Sequence, residues 1–424
     1  MLEAYRHKIL SLRQQADVRN EWLKYRLDHV LPELMKREGF DMWLVIAREY
    51  NEDPVIMTLL PQPAMSARRR TILVFYRQPD GVVERLTVSR YDMPGFYQSV
   101  WNPDDEPDQY DALARVIQER NPHTIGINIS DTFAFGDGLT HSQHTYLFAL
   151  DKNGDLRHKM KSAERLAVAW LETRTPAEIM VYPGIVEIGH ALIAEAFSTR
   201  VIQPGITTTD DVVWWMREKM QSMGLAAWFQ PTVEIQAQDN PFTAINIKDA
   251  GRKVILPGDL LHCDVGFYYL GLATDQQQHA YVLKAGEKDA PQGLKDALAE
   301  GNRLQDILMH NMRIGRTGNE ILADTLAHAK AEGINPCVYS HPLGYHGHAA
   351  GPTIGLWDNQ VRVGGSGDYE VHDNTAYSIE LNIIKPVAEW GGQEVRIMLE
   401  EDAVLQNGVM RWLHGRQTAL HLIG

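Results

Sequence analysis

Cysteine is nearly absent from this chain: Cys263 and Cys337 are the two among 424 residues. Two thiols are too few for a disulfide framework and do not form the paired spacing of a structural zinc or dithiol redox motif, so both are read as buried, inert thiols. Positive charge is also short, since Lys+Arg number 41 against Asp+Glu 55, a formal net charge of -14. That balance argues against a nucleic-acid partner and suits a protein that holds cations. No run of about 18 apolar residues occurs, and the opening MLEAYRHKILSLRQQ, charged throughout, lacks the apolar centre of a signal peptide. The expectation is a cytoplasmic protein with no membrane partner. Short-period repeats, low-complexity tracts and a glycine-rich phosphate loop are missing as well.

What is present is a sizeable core, because 44% of the 424 residues are hydrophobic, enough for two domains or one large one. Residues 20 to 38 have helical spacing, MWLVIA from Met42 reads as a short buried strand, and RTILVFYR and VERLTVSRY form a hairpin through Gln78-Pro-Asp-Gly81. With a helical stretch near 108 to 120 and the strand-like TIGINIS, residues 1–160 are expected to form an α/β domain. The polar stretch DKNGDLRHKMKS is the candidate linker, which leaves 161–424 as a second domain. Three helix starts are signalled there: Thr175-Pro176-Ala177-Glu178, Thr208 to Asp211, and Thr317-Gly-Asn-Glu320. Strand-like runs at KVILPGDLLHCDVGF, AYSIELNII and EVRIMLEEDAVL lie between and after them, so the class is α+β, with helices on a curved antiparallel sheet.

The chemistry centres on Asp264-Val-Gly-Phe-Tyr-Tyr-Leu-Gly-Leu-Ala-Thr-Asp275. Apolar runs flank Leu270-Gly271, which predicts a hairpin with the pairs 268/271, 266/273 and 264/275, so that the two aspartates oppose each other. Opposed carboxylates have Cβ atoms about 4.5–5.5 Å apart and repel unless one is protonated or a cation intervenes. Two divalent ions about 3.5–4 Å apart are the usual remedy, and together they activate water near neutral pH. The competing reading is a pair of polar residues on the wet face of a hairpin. His341 and His348 in SHPLGYHGHAAGP, Glu380 in YSIELN, and Glu400 or Glu401 in VRIMLEEDAV complete a candidate set. Each alone reads as a turn, surface or strand-end residue. Together, carboxylate oxygens with imidazole suit manganese, zinc, cobalt or iron(II).

These motifs, in this order, resemble the creatinase, aminopeptidase P, prolidase and methionine aminopeptidase superfamily with its pita-bread fold. PGDLLHCDVG carries Asp264, ATDQQQ carries Asp275, His341-Pro-Leu-Gly-Tyr-His-Gly-His348 keeps the seven-residue separation of two histidines, and Glu380 matches the strand glutamate. The resemblance spans roughly 160 to 420, and the smaller domain before it is similar to the one preceding the catalytic domain in creatinase and prolidase. It implies two divalent ions (Mn, Co or Zn) held by Asp264, Asp275, His341, Glu380 and a last glutamate, with Asp275 bridging. It also implies that Glu380 accepts a proton from the attacking water, that His348 is catalytic, and that His346 and Arg396 contact substrate. Arg396 looks like the family's arginine, and a period of two puts Arg396, Met398 and Glu400 on one face, so Glu400 is preferred over Glu401.

The function so implied is a dinuclear metal-dependent hydrolase, an aminopeptidase or dipeptidase of the Xaa-Pro type, acting on a small peptide or amide as a homodimer. Two alternatives stand beside it: a non-catalytic pita-bread binding protein, and a related hydrolase with a non-peptide amide substrate. The chain departs from the pattern at Pro342, where the family has glycine, at Ala349, where it has an acid, and in a longer insert before Glu380. Seventeen residues before Asp264, where the peptidases carry a further histidine, stands Ile247. That departure favours a substrate other than a plain Xaa-Pro peptide.

Overall fold

The computed structural model describes residues 2–151, 154–238 and 253–424. The chain packs as two compact units, one of Ser11–Leu171 and one that joins Met1–Leu10 to Glu172–Gly424. The division thus falls beyond the polar stretch read as the linker, because the helix Glu164–Glu172 follows that stretch and the apolar Leu166, Val168 and Trp170 bury fully.

The unit Ser11–Leu171 is a six-stranded mixed sheet in the order Gln98–Ser99, Val83–Thr87, Arg70–Arg77, Met42–Arg48, Ile125–Ile127, Met160–Ser162. Met42–Arg48 is central and buried along all but its last residue, as expected of an apolar run with neighbours on both edges. It pairs antiparallel with Arg70–Arg77 and parallel with Ile125–Ile127. The helix expected over 20–38 begins earlier, at Leu12, where Ser11 and Gln14 form a capping box. It also widens into a π turn over Arg26–Val30, where buried Arg26 donates to the Trp170 carbonyl and lies 4.4 Å from the Trp170 ring.

One buried acid in this unit sets a pH dependence. Trp43 donates to Asn128 (2.8 Å), and Asn128 to Asp53 (2.8 Å), whose other oxygen accepts from the Val55 amide. Burial pushes the Asp53 carboxyl up to about 6 despite these donors. Because the folded value lies above the unfolded one, this group's share of stability is complete below pH 3.8 and is lost as pH rises through about 6. The gap amounts to ~3 kcal/mol. Asp53→Asn should therefore gain on the wild type by about that much between pH 4 and pH 7 in urea unfolding. A stability difference independent of pH would exclude Asp53 as the source.

The larger unit is built on an antiparallel sheet whose central order is Pro336–Val338, Thr375–Val387, Gln393–Gln406, Gln276–Val282, Leu260–Val265, Thr232–Gln236. Its helices start where the capping signals place them, at Thr175, Thr208 and Thr317, each with its reciprocal side-chain and backbone bonds. The helix Pro176–Ala196 is long and apolar enough in composition to cross a membrane. It also carries Glu187, His190 and Glu195, and its Tyr182, Ile185, Val186, Ile188, Leu192 and Ile193 are buried within the unit, which accounts for the composition.

Alternation along two long strands separates core from chemistry. Tyr377, Ile379, Leu381 and Ile383 join Ile397 and Leu399 in the apolar core with Leu294, Leu298, Leu304 and Leu308 of the helix Gln292–Asn311. Each such side chain contributes ~1.5–3 kcal/mol when removed from water. The intervening Ser378, Glu380, Asn382, Met398, Glu400 and Asp402 necessarily take the opposite face. Of the two cysteines, Cys263 is buried as expected, whereas Cys337 is half-buried with its thiol 3.6 Å from the Trp357 carbonyl.

Candidate metal centre

Register lays the acids side by side. Thr232 faces Asp264, Asp264 faces Gln277, Gln277 faces Glu400, and Glu400 faces Glu380, a single line across five strands. Two residues along, Ser378 is opposite both Asp402 and His341. The hairpin that supplies the aspartates differs from the expected one. Tyr269 pairs with Leu272 and Tyr268 with Ala273, so Asp264 lies opposite Gln277 rather than Asp275. The turn is the reason: Leu270 (φ 55) and Gly271 (φ 81) are both left-handed, which makes them the two central residues of the hairpin loop and moves every pair by two. An even offset preserves the face, and both aspartates still reach the same group.

Ligand atoms of Asp264, Asp275 and Glu400 lie within 4.8 Å of one another, as do those of His341, Glu380 and Glu400, and those of Asp275, His341 and His348. His341 Nε2 is 3.4 Å from Glu400 Oε1 and 3.7 Å from both Asp275 and Glu380. Burial, and then the charge of Glu400, pushes Asp264, Asp275 and Glu380 well above the usual carboxylate range. Burial also raises Glu400, but His341, Ser378 and Gln277 more than offset it and hold this carboxyl low. Asp402, whose oxygen accepts from the Asp275 amide at 3.2 Å, is raised by burial and by Glu400 and Glu401.

The donor set fits divalent cations. Asp264 Oδ1, Asp275 Oδ1 and His341 Nε2 are buried and have no hydrogen-bond partner, which is costly for polar atoms unless a cation completes them. The His341 Nδ1–H donates to the Pro342 carbonyl at 3.0 Å, fixing the tautomer that leaves an Nε2 lone pair aimed at the carboxylates.

Glu400, not Glu401, faces this group. Glu401 points to the other side of the strand, where it meets His190 (2.5 Å), Gln278 (2.7 Å) and the Gln417 amide (2.9 Å). His348 lies close to His341 despite the seven residues between them: its ring meets that of His341 edge-on at 4.7 Å, and the Trp228 ring at 5.1 Å. The glycine between the last two histidines makes this possible, since a Cβ on Gly347 would sit 2.2 Å from the Trp228 ring. His346 turns elsewhere; burial, and then Arg174, pushes it down to about 4. Arg396 shares the ligand face but stands two rows along it, donating to Asn382 at 2.8 Å. Neither residue is in the cation-binding groups found among the described residues. Ile247 lies outside the described residues.

Sequence reading missed Gln277, His262, Ser378 and Trp228. Ser378 donates to Glu400 Oε1 at 2.6 Å, and Trp228 Nε1–H to the carbonyl before Asp275 at 2.9 Å. Period two from Asp275 and from Glu380 would have found Gln277 and Ser378. Nothing in the spacing announces Trp228.

The sequence profile of metallopeptidase family M24 matches residues 185–407, more than half of the chain and all of the acids just described. This chain belongs to metallopeptidase family M24. The family is one of metal-dependent peptidases, so the divalent ions fit the chemistry as well as the donors. Among solved structures, the M24 chain is similar to an X-Pro aminopeptidase from Thermotoga maritima (TM-score 0.64, 16% identity, 92% of this chain and 99% of that one). It is also similar to an Xaa-Pro dipeptidase from Bacillus anthracis (0.59, 16%, 96% and 99%) and a prolidase from Pyrococcus furiosus (0.58, 14%, 91% and 99%). At these identities the likeness is one of fold: an M24 pita-bread domain with a smaller domain before it. No curated protein sequence matches significantly.

Proposed function

We propose that this M24 peptidase is dinuclear and hydrolyses short peptides of the Xaa-Pro type. The observation that carries the reading is the pair of overlapping ligand groups, Asp264/Asp275/Glu400 and His341/Glu380/Glu400, which share Glu400 as two neighbouring ions would require. Manganese, cobalt or zinc suits these oxygen and imidazole donors. When bound, the ions supply a water made nucleophilic near neutral pH and polarise the scissile carbonyl. Glu380 is assigned the acid-base role, taking and returning a proton. His348, exposed at the edge of the cluster and braced by Trp228, reaches the oxygen or nitrogen of the bond being cleaved. The resemblance assigns His346 and Arg396 to the substrate's remaining polar groups, although neither belongs to the ligand groups found among the described residues.

Elemental analysis of the purified protein, followed by a panel of di- and tripeptides with and without proline, tests this. Two ions per chain and kcat/KM of about 10⁴ M⁻¹s⁻¹ or more on Xaa-Pro peptides are expected. Ile247, in place of the histidine of the resembling peptidases, favours a second reading, a non-peptide or modified amide substrate. Two bound ions with no cleavage of any Xaa-Pro peptide would select it.

A further inference from the structure

Gln277 occupies the middle of the acid line. Its Nε2 donates one hydrogen to Glu380 Oε1 (2.6 Å) and the other to Glu400 Oε2 (2.7 Å). Its Oε1 accepts from His262 Nε2 (2.9 Å), and Glu234 Oε2 lies 3.3 Å from the other nitrogen of that ring. Both Gln277 and His262 are buried. Glu380 and Glu400 oppose each other on adjacent strands, and two carboxylates so placed repel and splay. The forked amide holds one oxygen of each. Their other oxygens are left toward the partnerless His341 Nε2, at 3.7 Å for Glu380 Oε2 and 3.4 Å for Glu400 Oε1. A glutamine amide can turn over end for end, but here the flipped form would set its carbonyl against two carboxylates and its amino group against the His262 donor. His262 therefore fixes which way the fork points.

We propose that His262 and Gln277 are coupled positioning residues that pre-set Glu380 and Glu400 for cation binding. The inference rests on the reading of the acid cluster as a metal centre. Neither side chain need touch an ion: the amide orients the glutamates, and the imidazole orients the amide. Groups of this kind behind a ligand are worth 10–100-fold in metal affinity.

The test is calorimetric titration of the chelator-treated full chain with Mn²⁺, with the visible absorption of the Co²⁺ form as a second readout. Gln277→Leu and His262→Leu are each expected to weaken Mn²⁺ binding by about 10–100-fold and to shift the Co²⁺ bands, while melting of the metal-free proteins stays close to wild type. The double variant should lose no more than the worse single one, because the two act through one amide. His262→Gln, which keeps a donor facing Oε1, should return within about threefold of wild type. If Gln277→Leu does not fold, the His262→Leu and His262→Gln pair decides alone. Leucine variants that bind as well as wild type, or more tightly because the amide competes with the ion, would overturn the proposal while leaving the metal centre intact. A wild type that binds no divalent ion would instead remove the metal reading, and the proposal with it.

Discussion

Asp275→Ala is expected to empty at least one of the two proposed ion positions and to silence hydrolysis. Asp275 contributes to two of the three groups of converging ligand atoms, and one of its oxygens is buried without a partner. The neighbouring acids are not free to replace it: Asp264, Glu380 and Glu400 already belong to the converging groups, and Asp402 accepts from the Asp275 amide. A ligand that binds only the folded chain stabilises it by RT ln(1 + [L]/Kd), ~2.7 kcal/mol at a hundredfold excess over Kd. The wild type should accordingly melt higher with Mn²⁺ than after chelation, and Asp275→Ala should lose most of that increment. Two ions per chain in the variant, by elemental analysis, would contradict the assignment.

His348→Ala should behave in the opposite way, keeping its metal and losing turnover by roughly 10²–10⁴. His348 is close enough to share an ion with Asp275 and His341, yet it is the exposed member of that group, and the remaining donors converge without it. Its edge-on contacts with His341 and Trp228 hold the ring at the rim, where an incoming amide would meet it. The distinguishing comparison is with His341→Ala, which removes the imidazole at the centre of the acids and should lose metal and turnover together. Equal metal loss in the two variants would show His348 to be a ligand instead.

Much of this centre is legible in the sequence because a strand has a period of two. Glu380 between Ile379 and Leu381, and Glu400 beside Leu399, must face away from the apolar core once that core is recognised, and the same parity separates Glu400 from Glu401. The hairpin register was not legible. It depends on two residues adopting positive φ, and the Leu270 side chain gives no sign that it will. Gln277 escaped notice within Gln276-Gln-Gln278, where composition makes three residues look alike although their faces alternate. That residues 1–10 group with Glu172–Gly424 is not legible either, for a different reason. Leu2, Tyr5 and Leu10 find Glu195, Glu187 and the Tyr269 hydroxyl, contacts between residues about 180 to 260 positions apart that no local pattern reveals.

That last arrangement bears on the order in which the chain can fold as it is made. Residues 1–10 are made before Ser11–Leu171, but their partners Glu187, Glu195 and Tyr269 follow only after the whole of that unit. Synthesis proceeds at about 5–20 residues per second, so residues 1–10 wait on the order of ten seconds or more for those partners. The unit Ser11–Leu171 has its own sheet and apolar core and can close during that interval. Folding of the metal-binding unit must then recapture a segment separated from it by a finished domain, which makes docking of the first ten residues a late event in biogenesis.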